Sequence, residues 1–334
     1  MPVIGEEEWD TVFRLARKQA IQGVVLQGVA RMPLGAAPPH TLLMRWIAEG
    51  RAIERRNKQL DNAVDVVVKW FAKRGFRTCL LKGQGNALMY PEPSSRCPGD
   101  IDIWVEGDDD EIIDLIRSVN PDVVARYHHV ECPPYGDVEI EAHYRPGFMF
   151  NPLHNSRLQA FFLENRTAQM SNIKNTGRAM VALPTTRFNI VYQLSHIHNH
   201  LFDRGIGLRQ LTDYYLLLSR ASTEDMPNEV LLRRLGLWKM AGAVMYVMKV
   251  IYALDDKLMI ASPDARRGRL MLAEILAGGN FGQHDRRFAF RDGRMWRNIQ
   301  RLWRDIRLVI YFPSPCICEP PFRLFHFFWR LRHS

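Results

Sequence analysis

The chain has 334 residues, 47% of them hydrophobic, and a formal net charge of +9, which is enough apolar material for a sizeable core shared among two or three compact units. No stretch approaches the ~20 apolar residues needed to cross a bilayer, and the opening MPVIGEEEWD has neither the basic start nor the apolar core of a signal peptide. The five cysteines (Cys79, Cys97, Cys132, Cys316 and Cys318) are odd in number and mostly isolated, so a disulfide framework is not indicated and a reducing cytoplasm is the expected setting.

Residues 6 to 75 read as helical. Glu6, Glu7 and Glu8 suit a helix amino end, the Pro33–Pro39 stretch breaks the pattern into a loop, and Val64, Val67, Val68 and Phe71 then recur on one helical face. Gly75 announces a short buried strand, Arg77–Leu81. From Leu80 the sequence LLKGQGNALMYPEPSSRCPGDIDIWV reads as strand, glycine turn opening a helix, irregular loop, and second strand. On that strand Asp100 and Asp102 share one face, while Ile101, Ile103 and Val105 take the other. Two carboxylates about 7 Å apart along a strand repel each other unless a cation lies between them, as a magnesium site requires. The glycine turn supplies backbone N–H groups and a positive helix end for phosphates. Together these halves point to a site for a nucleoside triphosphate and one or two divalent ions.

The next segment, EGDDDEIIDLIRSV, places its acidic residues in the first turn of an apolar-striped helix. There they serve the helix dipole and not a metal. A strand is expected over Val123–Val130, then a turn through Pro133, Pro134 and Gly136, then a strand Asp137–Tyr144. That last strand alternates cleanly: Val138, Ile140, Ala142 and Tyr144 on one face, Asp137, Glu139, Glu141 and His143 on the other. Four ionisable groups in a row suit an active-site strand better than a core strand.

The ordered pair K-G-x-G-x-A-L and R-x-x-G-D-I-D-I resembles the nucleotidyltransferase superfamily of the polymerase-beta type, whose signature is a glycine turn followed by an Asp-x-Asp strand. The pattern is most like a bacterial group described as uncharacterised nucleotidyltransferases, and more loosely like abortive-infection toxins with a K-G-G-x-A-L turn. The usual Gly-Ser pair is replaced by Gly83-Gln84-Gly85-Asn86, so Asn86 or backbone amides would have to take the phosphate contact of the missing hydroxyl. The resemblance implies a third carboxylate from a neighbouring strand, often in a Glu-x-His context. Glu141-Ala142-His143 matches it best, and Glu139 is the alternative. It further implies two Mg2+ or Mn2+ ions, with Asp100 bridging both, Asp102 holding at least one, and Glu141 completing the catalytic-metal site and taking the hydroxyl proton. An exposed active-site face of this kind is expected to tolerate loss of one carboxylate without loss of fold. Lys82 and Arg96 would neutralise the triphosphate, or else pair with the carboxylates. Gly83 and Gly85 are turn glycines compatible with phosphate approach.

From Pro184 onward the pattern is helical. Phe188, Ile190, Val191 and Leu194 lead into His196-Ile197-His198-Asn199-His200, followed by a helix at Leu208–Leu218 and a long helix from Val230 to Leu254. His196 and His200 share a face at the spacing of many zinc pairs, with His198 pointing away. The other reading has one or two of these histidines, with Arg209 and Asp213, facing the nucleotide site. The resemblance supports it, because members of the group tend to follow a histidine-rich helix with G-x-G-L-R-Q-x-x-D. Arg209 and Asp213 also fit a plain i, i+4 ion pair. After a Gly278–Gly282 turn, an arginine-rich helix is expected around Met295–Ile310, with Arg294, Arg297, Arg301 and Arg304 on one side and Met295, Ile299, Leu302, Ile306 and Val309 on the other. From Ser262 to the end there are 14 arginines, no lysine and 6 acidic residues, which is +8 of the chain's +9. Such a segment welcomes phosphate or RNA, or is simply a solvated face. Cys316-Ile317-Cys318 lacks zinc-knuckle spacing. The aromatic, basic tail Pro321–His333 is expected to dock on its own domain or on a subunit in preference to a membrane surface.

The fold expected from all of this is α/β (α+β), a nucleotidyltransferase-type mixed sheet over residues 60–150. A helical N-terminal segment, 1–59, precedes it, and a larger, mainly helical C-terminal domain, 151–334, carries the basic region. The expected activity is metal-dependent transfer of a nucleoside monophosphate from an NTP to an acceptor hydroxyl on a small molecule, an RNA or a protein. The alternative is a non-catalytic nucleotide- or RNA-binding regulator on the same fold.

Overall fold

The computed structural model describes residues 4–285, 287, 299, 302–303 and 305–333. Three helices open the chain: α1 (Glu6–Lys18), α2 (Gln22–Val29) and the 33-residue α3 (His40–Ala72). Trp9 and Phe13 of α1 pack edge-on against Trp46 of α3, with ring centroids 6.5 Å and 5.0 Å apart. Further along α3, Leu60, Val64, Val67 and Phe71 form a buried stripe at helical spacing, and this stripe meets the sheet.

The sheet has six strands in the order β3-β4-β2-β1-β6-β5, taken from β1 (Thr78–Leu80), β2 (Ile101–Val105), β3 (His129–Glu131), β4 (Ile140–His143), β5 (Ile173–Asn175) and β6 (Met180–Ala182). It is mixed. β1 runs antiparallel to β2 and parallel to β6, β2 is parallel to β4, and the outer pairs β3/β4 and β5/β6 are antiparallel. Alternation divides its faces. Leu80, Ile101, Ile103, Val105, Ile140 and Ala142 pack on α3 and on Ile112, Ile113 and Ile116 of α5 (Asp109–Arg117). Each leucine, isoleucine or valine among them taken fully from water is worth about 1.5–3 kcal/mol. Cys79, Leu81 and Trp104 face the other way into the helical part of the molecule, where the Trp104 ring stacks on Phe188 at 5.7 Å.

Two strand expectations change. The strand drawn over Val123–Val130 survives only at its end, because Ala125 bridges back to Val130 and the chain doubles on itself there; Asp137–Tyr144 shortens to β4. The hairpin β5/β6 extends the sheet beyond residue 150. Its turn uses Gly177 at φ +83°, whose N–H donates to Asn175 Oδ1 at 2.8 Å.

The short α4 (Gln84–Ala87) follows β1, and α6 (Pro152–Ser171) and α7 (Thr186–Asp203) flank the hairpin in sequence. Then come α8 (Leu208–Leu218), α9 (Glu229–Arg234), α10 (Trp238–Tyr252), α11 (Ala265–Gly278) and α12 (Pro313–Arg332). The helix expected from Val230 to Leu254 is therefore two. The break is at Gly236, φ +74°, where a Cβ would fall 2.2 Å from the His154 ring. Only glycine takes this conformation in that space. Gln19, fully buried, ties α1 to this region: its amide donates to Ile275 O at 2.8 Å and its carbonyl accepts from Leu208 N at 3.0 Å.

Arg294, Arg297, Arg301 and Arg304 lie outside the described residues. Toward that helix's end, Leu302 and Ile306 are 54% and 53% exposed, and the buried positions are Asp305, Leu308 and Phe312. The apolar stripe is thus rotated from the expected one. The tail docks on its own chain, as expected. Phe322 stacks on Phe148 at 4.9 Å, and His326 Nε2 accepts from Tyr127 N–H at 3.2 Å. No described helix is long and apolar enough to cross a membrane.

Candidate active site

The site forms where β1 ends and β2 begins. Antiparallel pairing sets Leu80 opposite Ile103, and Leu81 N–H donates to Asp102 O at 2.9 Å, which brings Lys82 beside Asp102. The chain then turns at Gly83, with φ +55° and ψ −114°. A Cβ there would lie 3.1 Å from Asp100 O, so the glycine serves both the turn and the close approach of the two segments. Parallel pairing of β2 with β4 makes Asp102 the register partner of Glu141 and Trp104 that of His143. Glu139, the alternative third carboxylate, is exposed.

Asp102 is only 2% exposed and sits at the centre of a charged chain. Its Oδ1 accepts from Lys82 Nζ and from His143 Nε2, each at 2.9 Å, and His143 Nε2 lies 3.4 Å from Glu141 Oε2. Burial opposes every charge here, and the partners decide the outcome. The carboxylates Asp102 and Asp100 hold the Lys82 ammonium above its ordinary pKa against that burial. Lys82 and His143 hold Asp102 well below the usual carboxylate range. Hydrogen bonds to Asp102 and Glu141 overcome burial to lift His143 to about 9. Asp100, half-buried, goes the other way: repulsion from Asp102, then burial, raise its carboxyl. Burial, followed by the neighbouring acids, pushes the Tyr192 hydroxyl up, and that hydroxyl is buried without a hydrogen-bond partner among the described residues.

A second buried network stands beside the first. Arg96, 5% exposed, makes a two-pronged contact to Asp213, Nε to Oδ1 at 2.9 Å and Nη2 to Oδ2 at 2.8 Å. Tyr90 Oη and Asn86 Nδ2 donate to the same carboxylate at 2.6 Å and 3.1 Å. Burial opposes ionisation of Asp213, and Arg96 lowers its pKa regardless. Asp213 thus pairs with Arg96 and not with Arg209. Arg209 donates to Pro98 O at 2.9 Å and lies over the Phe281 ring at 5.3 Å. Both ends of the Asn86 amide are engaged, since Gln193 donates to its Oδ1 at 3.1 Å. Gln84 reaches away to Asp61 on α3, and Gly85 packs against Leu183; neither borders the cleft.

The cleft itself lies between the sheet and the helical part. Lys82, Gly83, Asp100 and Asp102 form one wall, and Gln193, His196, Arg209 and Phe281 form the other. The His196 and His200 rings are 4.1 Å apart on α7, whereas His198 packs against Phe202. Burial holds His196 well below the ordinary histidine value and lowers His200 to about 4. Neither belongs to a described metal-ligand cluster.

Sequence reasoning missed Phe281, His128 and His129. Phe281 has φ +51° in a non-glycine residue, flanked by Gly279 and Gly282 at φ +67°. That conformation sets its ring under Arg209 and 5.0 Å from His200. The Gly278–Gly282 turn was the available signal. His128 and His129 fall in the segment taken for a plain strand. Burial, then its histidine neighbours, holds His128 well below its ordinary value, and burial lowers His129 to about 3 despite Glu141 nearby.

Residues 5–254 match the family described as uncharacterised nucleotidyltransferase, and the chain belongs to that family. Among solved structures it is similar to an antigenic nucleotidyltransferase-like protein from Paracoccidioides brasiliensis, at 12% identity and TM-score 0.39, over 64% of this chain and 97% of that one. No curated protein matches the sequence.

Proposed function

We propose that the chain transfers a nucleoside monophosphate from a divalent-metal-bound nucleoside triphosphate to an acceptor hydroxyl. One observation carries the reading: Asp102 and Glu141 are register partners on adjacent parallel strands, on the sheet face that carries His143, and Asp100 and the Gly83 turn line the same cleft as Asp102. The donor set suits Mg2+ or Mn2+, both of which favour carboxylate oxygens. The raised pKa of Asp100 also marks a repulsion that a cation relieves.

Asp100, Asp102 and Glu141 would hold the ions, which supply charge neutralisation for the triphosphate and a lowered pKa for the acceptor hydroxyl. Glu141, the most accessible of the carboxylates paired to His143, is placed to accept the hydroxyl proton. Lys82 balances Asp102 and would turn its charge to the triphosphate. Arg96 is committed to Asp213 and acts by holding the loop that delivers Asp100. His196, Arg209 and Phe281 form the wall facing these groups, where nucleobase or acceptor would lie. A non-catalytic regulator would have no use for the third carboxylate, and Glu141 lies on Asp102's side of the sheet.

The test is incubation with each labelled NTP, Mg2+ or Mn2+, and a cell extract, with Asp100→Asn and Glu141→Gln as controls. Label entering RNA, protein or a small molecule in a carboxylate-dependent way supports the reading and identifies the acceptor class. Equal incorporation by the variants refutes it.

A further inference from the structure

Beside the carboxylates lies a cluster that nucleotidyl transfer does not use. His128 and His129 are consecutive at the start of β3, and antiparallel pairing sets His129 opposite His143 at the end of β4. One ring nitrogen from each of the three lies within 4.8 Å of the others. His128 Nε2 and His129 Nδ1 are 3.0 Å apart, and Glu141 Oε2 is 3.3 Å from His129 Nδ1 and 3.4 Å from His143 Nε2. Ligand atoms held at about 2.0–2.1 Å from one tetrahedral ion stand about 3.3 Å from each other.

The surroundings match a metal centre in two more ways. His143 Nδ1 is 3.3 Å from Arg145 O, the backbone contact that fixes a ligating imidazole's tautomer and leaves Nε2 for the ion. The Phe148 ring, 4.9 Å from that of His128, covers the cluster on one side, while Glu141 keeps 28% of its side chain open to solvent as an entry path.

We propose that His128, His129 and His143 bind one transition-metal ion of the zinc class, with the Glu141 carboxylate as the bordering oxygen donor. Three imidazoles select Zn2+ or Co2+ over Mg2+, whose preference is for oxygen. The site is distinct from the one formed by Asp100 and Asp102 and touches it through Glu141. An ion at His143 Nε2 also removes that nitrogen's hydrogen bond to Asp102, leaving Asp102 Oδ1 to Lys82 and to the hard cation.

The full chain, stripped by chelator, is titrated with Co2+ and followed by visible absorption, with Zn2+ as competitor. Mn2+ binding to the same preparation is followed by electron paramagnetic resonance. The wild-type chain should take up one Co2+ with the intense bands of tetrahedral coordination and lose them to one equivalent of Zn2+. His128→Gln and His129→Gln should each weaken Co2+ by about tenfold or more. Asp100→Asn should keep the Co2+ spectrum while losing Mn2+. His128, only half-buried, decides the matter if the His129 variant does not fold. No tetrahedral Co2+ spectrum in wild type, or wild-type Co2+ affinity in the folded His128→Gln chain, overturns the proposal. Mn2+ binding without Co2+ binding sinks the histidine site alone, and Co2+ binding without Mn2+ sinks the carboxylate reading alone.

Discussion

Asp102→Asn and Asp100→Asn should move the stability of the metal-free chain in different directions, although only Ile101 separates the two residues. Asp102 is buried between Lys82 and His143, each 2.9 Å from its Oδ1. An amide there strands a buried ammonium and a buried imidazolium. Removing one partner of a buried pair typically costs about 3–5 kcal/mol. With an unfolding entropy of about 2.1 cal/mol/K per residue, a chain of 334 residues should then melt about 4–7 °C lower. The sequence suggested an exposed active-site face that would tolerate the change; burial of Asp102 at 2% exposure reverses that expectation. Asp100 makes no ion pair among the described residues, and repulsion from Asp102 raises its pKa. Neutralising it removes that repulsion, so its melting point should hold or rise. The assay is thermal unfolding in chelator, followed by circular dichroism, on wild type and both variants. An Asp102→Asn chain as stable as wild type, or an Asp100→Asn chain destabilised equally, would refute the electrostatic account.

Gly83→Ala should lower stability by about 1–3 kcal/mol through forced backbone strain and weaken Mn2+ binding, read by unfolding and by resonance, because the added Cβ crowds Asp100 O at 3.1 Å. The Arg96–Asp213 contribution follows from a depressed carboxyl pKa: it is fully present above the unfolded value of about 3.9 and is lost as pH falls through the lower folded value. Asp213→Asn should therefore be less stable than wild type at pH 7, by about 3–5 kcal/mol, with the difference shrinking in acid titrations below about pH 4. Phe322→Ala, which removes the stack of this partly buried ring on Phe148, should cost up to about 1.5–3 kcal/mol and loosen the tail helix, visible as faster amide exchange at Tyr127.

The parts of the fold that were legible in sequence are those written in short-range pattern. The Leu208–Leu218 helix has the same limits in sequence and structure, and residues 77–105 give their strand, turn and strand in order. The missed parts depend on tertiary contact. Three-residue strands such as β5 and β6 have no period to read. Gly236 breaks a helix because His154, more than eighty positions earlier in the chain, occupies the place of its Cβ.

The candidate site shows the same division one level higher. Alternation placed Asp137, Glu139, Glu141 and His143 on one face, the family resemblance favoured Glu141 among them, and the register of the folded sheet sets Glu141 directly beside Asp102. Pairing among charges could not be read from sequence. The i, i+4 rule joined Arg209 to Asp213, yet a buried carboxylate takes the partner that satisfies it most completely. Arg96 offers two parallel hydrogen bonds, while Tyr90 and Asn86 fill the remaining lone pairs. That choice matters for chemistry, because it fixes the loop entering Asp100 and leaves Lys82 and His143 to pair with Asp102. Lys82 and His143 then hold Asp102 ionised and buried before any ion arrives. On the proposed reading a divalent cation would have to compete with both, so its affinity would report how readily this charged chain rearranges as well as how many oxygens face it.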